Sequence, residues 1–174
     1  MNNDSVMRGI RVEKIVLNIG CGTKLNVEHA KTILEAISGS KAVITKTKKR
    51  STFNVPKNKP IGCKVTVRKN ASEFLKRLLN AKDSKLQEGN FDDSGNFAFG
   101  IKEYIDIPDM EYNPKIGIIG LDVCVSIERP GYSVKRRRLS KKIGKKHLIS
   151  KEDAMEFAKK NFGVEIQQAK QHEA

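Results

Sequence analysis

The sequence predicts an α+β fold in which an antiparallel or mixed sheet carries helices on one face and leaves the other face free. Three observations lead there. Five segments alternate apolar and polar residues with the two-residue period of half-buried strands. Three others repeat apolar residues at helical spacing. Several strands follow one another without an intervening helix, which favours antiparallel neighbours over a wound parallel sheet. At 174 residues the chain reads as a single domain over 1–174, long enough to bury a core. A basic loop over 129–147 and flexible termini at 1–9 and 167–174 complete it.

Ile10 to Gly20 is the first strand, with Ile15, Leu17 and Ile19 on one face and Lys14, Val16 and Asn18 on the other. Gly20-Cys21-Gly22 breaks it. Asn26 caps a helix over Val27–Ser38 whose stripe is Val27, Ala30, Ile33, Leu34 and Ile37, and Gly39 stops it. Ala42 to Thr47 is a short strand. A loop stiffened by Pro56 and Pro60 then leads into Ile61–Arg68, where Ile61, Cys63, Val65 and Val67 alternate with Gly62, Lys64, Thr66 and Arg68. Asn70-Ala71-Ser72-Glu73 has capping-box spacing and opens a second helix through Phe74, Leu75, Leu78 and Leu79. Residues 82–96 are polar, with a turn at Asp92–Gly95. Phe97–Ile107 and Gly120–Glu128 are strands, the latter burying Leu121, Val123, Val125 and Ile127. After the basic loop, Ser150-Lys151-Glu152-Asp153 caps a third helix carrying Ala154, Phe157, Ala158 and Phe162, ended by Gly163.

Charge is concentrated. The formal net charge is +14, yet residues 41–69 hold ten Lys/Arg and residues 129–147 hold nine, with no acid in either window. Removing those nineteen cations leaves the rest of the chain at −5. Such local basicity points to a polyanionic partner met at two surfaces. Lys135–Lys146 carries eight cations in twelve residues, too many to fold without phosphates, so Arg136, Arg137, Arg138, Lys141 and Lys142 are expected to contact RNA.

Several chemistries are excluded. Cys21, Cys63 and Cys124 form no disulfide framework and no zinc spacing, which suits a reducing cytosol, and the three histidines complete no metal site. No metal or cofactor is expected. The N-terminus has no apolar signal core, and no run approaches the ~20 residues of a membrane span. Gly20-x-Gly22 lacks the third glycine of a dinucleotide loop, where Leu25 stands. Asp92–Gly95 lacks calcium-loop ligands. Glu103, Asp106, Asp109 and Glu111 could be imagined as a two-metal nuclease, the basis of an RNA-processing alternative, but read better as solvated charges beside a turn. A DNA reader is disfavoured because no helix is basic enough for a major groove.

What remains is recognition of a structured RNA by a lattice of cations and short polar groups. With no Trp, stacking does not dominate. The uncovered sheet face is expected to present Lys14, Asn18, Lys46, Lys64, Thr66 and Arg68, with Lys48 and Lys49 beside it and a projecting Pro-bounded tip.

The motifs NIGCG at 18–22, ISG at 37–39 ahead of KAVITKTKKR, PIGCKVTVR at 60–68, EFLKRLL at 73–79, GNFAFGIKEYIDIP at 95–108 and IGIIGLDVCVSIERPGYSVKRRR at 116–138 cover nearly the whole chain. They resemble the universal large-subunit ribosomal protein L five family, in its archaeal form. The resemblance implies a non-enzymatic component of the central protuberance of a cytoplasmic ribosome. Its partners would be 5S rRNA, large-subunit rRNA, a neighbouring 5S-binding ribosomal protein, P-site tRNA and a small-subunit bridge protein. By motif, Asn18 and Thr66 match 5S contacts. Ser40 stands where the family usually has Gln. Lys57 to Cys63, and within it Lys57, Asn58, Lys59 and Pro60, match the loop that approaches tRNA.

Overall fold

The computed structural model describes residues 6–22, 25–50 and 55–167. Ten regular elements follow in order: β1 (Arg11–Gly20), α1 (Val27–Ser38), β2 (Val43–Lys46), β3 (Pro60–Val67), α2 (Ala71–Asn80), β4 (Lys85–Gln87), β5 (Phe97–Ile101), β6 (Leu121–Glu128), α3 (Lys151–Phe162) and β7 (Glu165–Gln167). Five strands form one antiparallel sheet in the order β2-β3-β1-β6-β5. The α+β expectation is borne out, and its antiparallel option is the one realised.

The core face of the sheet is the row set that alternation requires. Ile15, Leu17 and Ile19 of β1 lie beside Cys63, Val65 and Val67 of β3 and Leu121, Val123, Val125 and Ile127 of β6, with Phe97, Phe99 and Ile101 at the β5 edge. Helix α1 packs Ala30, Ile33, Leu34 and Ile37 against β3 and β2, and α2 packs Leu75, Leu78 and Leu79 against β1. Burying a Leu or Ile side chain contributes roughly 1.5–3 kcal/mol, so these two helices fix which sheet face is left open. Ala154 and Ala158 of α3 join the same core.

Caps set the helix ends. The Asn26 side chain accepts from Glu28 N at 3.0 Å, and Gly39 closes α1 in the left-handed region with its N–H donating to Glu35 O. Ser150 and Asp153 form the reciprocal capping box of α3. The box expected at Asn70 does not form. Asn70 adopts φ 51°, ψ 31° to swing the chain from β3 into α2, and that backbone conformation leaves its side chain without a cap bond. Asn tolerates this region better than most residues, so the position is right and the device differs.

Three further departures have local causes. The strand expected over Phe97–Ile107 stops at Ile101, because Tyr104–Asp106 forms a 3-10 turn in which Tyr104 N donates to Ile119 O and its ring is buried. Residues 85–87 and 165–167 pair in parallel as a small second sheet with Leu86 opposite Ile166. Strands of three residues carry too little alternation to be read from sequence. Of the terminal stretches 1–9 and 167–174, residues 1–5 and 168–174 lie outside the described residues, Val6–Arg8 form a 3-10 turn, and Gln167 closes β7.

Candidate nucleic-acid interface

The uncovered face is laid out by strand register. Asn18 on β1 is paired with Lys64 on β3 and with Asp122 on β6, while Lys64 is paired in turn with Val43 on β2 and Asp122 with Gly100 on β5. This makes one row across all five strands, Val43-Lys64-Asn18-Asp122-Gly100. The next row is Thr66-Val16-Cys124-Ala98, and Lys14 with Ser126 follows. Cross-strand partners stand about 4.5–5.5 Å apart at Cβ, so each row is a contiguous strip.

The expected residues fall on or around these rows. Asn18 and Thr66 are half-buried and held rigidly mid-strand, Lys64 is exposed, and Arg68 is exposed just past the end of β3. Lys46 is exposed but lies opposite Pro60, where β2 and β3 lose register, and alternation from Val43 puts Thr45 rather than Lys46 in the row with Gly62. Lys48 and Lys49 are exposed in the bend after β2. Ser40 is exposed beyond α1, its N–H donating to Ser38 Oγ at 3.2 Å. Gly62 belongs to the fit of the sheet, since a Cβ there would lie 2.5 Å from the backbone oxygen of Ile19.

The Pro-bounded tip is fastened by a residue that sequence reasoning did not single out. Thr47 donates its hydroxyl to Pro56 O at 2.7 Å and accepts from Lys59 N at 3.0 Å. Its backbone N–H reaches Lys59 O, and Asn58 N donates to Thr47 O, both at 3.0 Å. Asn58 turns the tip with φ 65°. Lys57, Asn58 and Pro60 are exposed and Lys59 is half-buried, so the tip continues the β2–β3 pair as a braced finger. A β-hydroxyl beside a proline loop was the available signal, but its distant partners were not legible.

The second basic window is more ordered than its charge suggested. Tyr132–Arg136 and Lys145–His147 take 3-10 turns. The Tyr132 hydroxyl donates to His147 O at 3.1 Å and accepts from Ile149 N at 3.2 Å, and His147 Nε2–H donates to Pro130 O at 2.8 Å. Arg129 donates to Leu148 O and to the Asp153 carboxylate, joining the end of β6 to the start of α3. The expectation that the segment orders only against phosphates is thus corrected at both of its ends, where neutral groups and acids from outside the window supply the contacts. Arg137, Arg138, Lys141 and Lys142 are exposed between them.

Arg136 is spoken for within the chain. Its two terminal nitrogens donate to Glu13, at the bulge in β1, and to Glu128, at the end of β6. The other Glu13 oxygen faces the Lys14 ammonium at 3.3 Å. Burial would raise the Glu13 carboxyl, but hydrogen bonds and charge from Arg136 and Lys14 outweigh it and leave that group below its ordinary value. Glu128 is pushed up, by burial first and then by the charge of Glu13, against the pull of Arg136.

Other chemistry does not assemble. Among the described residues no group of three or more His, Cys, Asp and Glu side chains could hold a metal, and no helix is long and apolar enough to cross a membrane. Of the acidic residues at 103–111, Asp109 instead faces Arg77 at 3.9 Å. The uncovered face therefore offers binding: cations on β3 and around the finger, neutral and small residues toward β5.

Comparison with known proteins agrees in extent with this single fold. The family described as ribosomal protein L5 matches residues 5–53, and the family described as the C-terminus of that same ribosomal protein matches residues 60–157. The large ribosomal subunit protein uL5 of Cenarchaeum symbiosum is 45% identical over 92% of this chain and 97% of its own length. Those of Sulfurisphaera tokodaii (45% identical, 92% and 93% covered) and Methanococcoides burtonii (42% identical, 92% and 98% covered) are similar over the same extent.

Proposed function

The chain belongs to the ribosomal protein L5 (uL5) family, and from that premise we propose that its uncovered sheet face holds 5S rRNA in the central protuberance of the large subunit. It is a non-enzymatic structural component of the large ribosomal subunit, working in translation as an rRNA-binding protein. The observation that carries the finer reading is the Val43-Lys64-Asn18-Asp122-Gly100 row, with Thr66 on the row beside it. Lys64 and Arg68 neutralise phosphates, and Asn18 and Thr66, fixed mid-strand, meet base edges or 2′-hydroxyls.

The braced finger bearing Lys57, Asn58, Lys59 and Pro60 projects from the same hairpin and suits a second RNA, the tRNA in the peptidyl site. Arg137, Arg138, Lys141 and Lys142 supply further rRNA contacts. A neighbouring 5S-binding protein and a small-subunit bridge protein are the protein partners that this placement implies.

Filter binding against 5S rRNA and an unrelated folded RNA across a salt series tests the reading. The expected result is selective 5S binding that weakens by about 0.7–0.9 log units per log salt for each phosphate neutralised. Asn18→Ala with Thr66→Ala should erode selectivity more than Lys57→Ala with Lys59→Ala. Equal affinity for both RNAs at matched salt would overturn the proposal.

A further inference from the structure

We infer that Asp122, paired with Asn18, reads the Watson–Crick edge of an unpaired guanine in the bound RNA. This rests on the RNA-binding reading of the same face and adds a residue to it whose charge is opposite to that of the surrounding cations.

The uncovered face is chemically divided. Its β3 side carries Lys64 and Arg68, whereas its β1-β6-β5 side is built from Val16, Asn18, Ala98, Gly100, Asp122 and Cys124 and contains no cation in its paired rows. A carboxylate at that place repels phosphate oxygens, so the RNA backbone must be drawn to the β3 side and something other than phosphate must meet Asp122. No salt bridge engages Asp122 among the described residues. Its partner across β5 is Gly100, which has no side chain to cover it, so the carboxylate is exposed above a low floor of small residues.

The partner chemistry follows from the pair. A carboxylate is acceptor-only and takes two adjacent donors best, while an amide offers both a donor and an acceptor. Guanine is the base whose Watson–Crick edge sets N1–H and N2–H₂ side by side with the O6 acceptor next to them. Asp122 would accept from N1–H and N2–H₂, and the Asn18 amide, one strand away in the same row, would donate to O6. Adenine and cytosine each present a single amino donor there, and uracil none. Lys64, on the far side of Asn18, is placed to hold the phosphate of the same nucleotide strand.

The test uses full-length protein, intact 5S rRNA and 5S rRNA in which inosine, lacking the N2 amino group, randomly replaces guanine. Asp122→Ala and Asp122→Asn are each expected to weaken 5S binding on the order of tenfold with an unchanged salt slope. Wild-type protein should show inosine interference at one or more guanines, and that interference should vanish with Asp122→Ala. Lys64→Ala, in contrast, should lower the salt slope by about one phosphate and keep the interference. The inference is overturned if Asp122→Ala binds as tightly as wild type or more tightly, or if its interference pattern matches that of wild type. If wild-type protein itself fails to prefer 5S rRNA over an unrelated folded RNA, the parent reading falls and takes this one with it. Matching thermal midpoints for Asp122→Asn and wild type would assign any loss to recognition rather than folding.

Discussion

Arg136, from the middle of a strongly basic segment, donates to the carboxylate of Glu13 at the bulge of β1, and with its other terminal nitrogen to Glu128 on β6. One cation of that segment thus serves as its tether to the sheet, and its neighbours Arg137 and Arg138 remain exposed. Arg136→Ala is expected to destabilise the fold by about 1 kcal/mol or somewhat more, because it strands two partly enclosed like charges, while Arg136 itself is half exposed and partly screened. Arg137→Ala should change stability by less than about 0.5 kcal/mol. Urea unfolding of the two variants compares them directly, and equal losses would remove the tether.

The two acids on Arg136 should leave opposite marks on the pH dependence of stability. Glu13 sits below its ordinary value in the fold, so its contribution is complete above the unfolded carboxylate range and is lost as pH falls through the lower folded value. Glu128 is raised, so stability that it favours at low pH is lost as pH rises through its elevated value. Relative to wild type, Glu13→Gln should therefore flatten the acid loss. Glu128→Gln should flatten the decline just above the ordinary carboxylate range. Chemical unfolding across the acid and neutral range checks both signs.

Thr47 should govern the order of the finger. Thr47→Val keeps the shape and the backbone bonds to Lys59 and Asn58 but deletes the bonds to Pro56 O and from Lys59 N. A loss of about 1 kcal/mol, confined to the finger, corresponds to amide exchange at Lys59 faster by roughly fivefold to tenfold. Exchange measured by NMR would also report whether strands β1 and β6 stay protected, as a loss confined to the finger requires.

The three thiols divide by face. Cys21 and Cys63 are buried on the core side, and Cys124 is exposed in the row with Val16 and Ala98. A maleimide should modify Cys124 alone in the folded protein. Burial and then the nearby Asp122 charge hold that thiol above its ordinary value, so the rate should keep climbing past the usual thiol range as pH rises. Bound 5S rRNA should protect it. Equal modification with and without RNA would place the RNA elsewhere.

Much of this was legible in the chain because period and position agree. β1, β3 and β6 each carry a buried residue at every second place, and α1 is bounded by an Asn and a Gly that both perform the expected caps. Asn18 and Thr66 could be assigned to the uncovered face by parity alone. Asp122 was available from the same parity in β6, but attention to cations hides an acid. Partners distant in sequence were not legible: Glu13 with Arg136 are 123 residues apart, and nothing local marks them. The Asn70 box failed for a related reason, since the turn demanded by α2 packing on β1 overrides a local capping pattern.

Gly62 is where close packing of the sheet leaves the least room. It lies in β3 with Thr45 of β2 on one side and Gly20 of β1 on the other, and it is buried. A methyl group there would come within 2.5 Å of Ile19 O and 3.3 Å of Thr45 Oγ1. Thr45 can rotate away, but the Ile19 carbonyl belongs to the β1 backbone and cannot move without disturbing the pairing of β1 with β3. Gly62→Ala is therefore expected to cost about 1–3 kcal/mol. Gly100→Ala, on β5, meets only Asp122 Oδ1 at 3.8 Å and should cost far less. The displacement would act on Asn18 and Lys64, two residues along the same strands, so Gly62→Ala should also weaken RNA binding at a temperature where the protein is still folded. Thermal unfolding and RNA binding measured on both variants separate the effects; equal stability of the two would show that β1 yields more readily than a close-packed sheet allows.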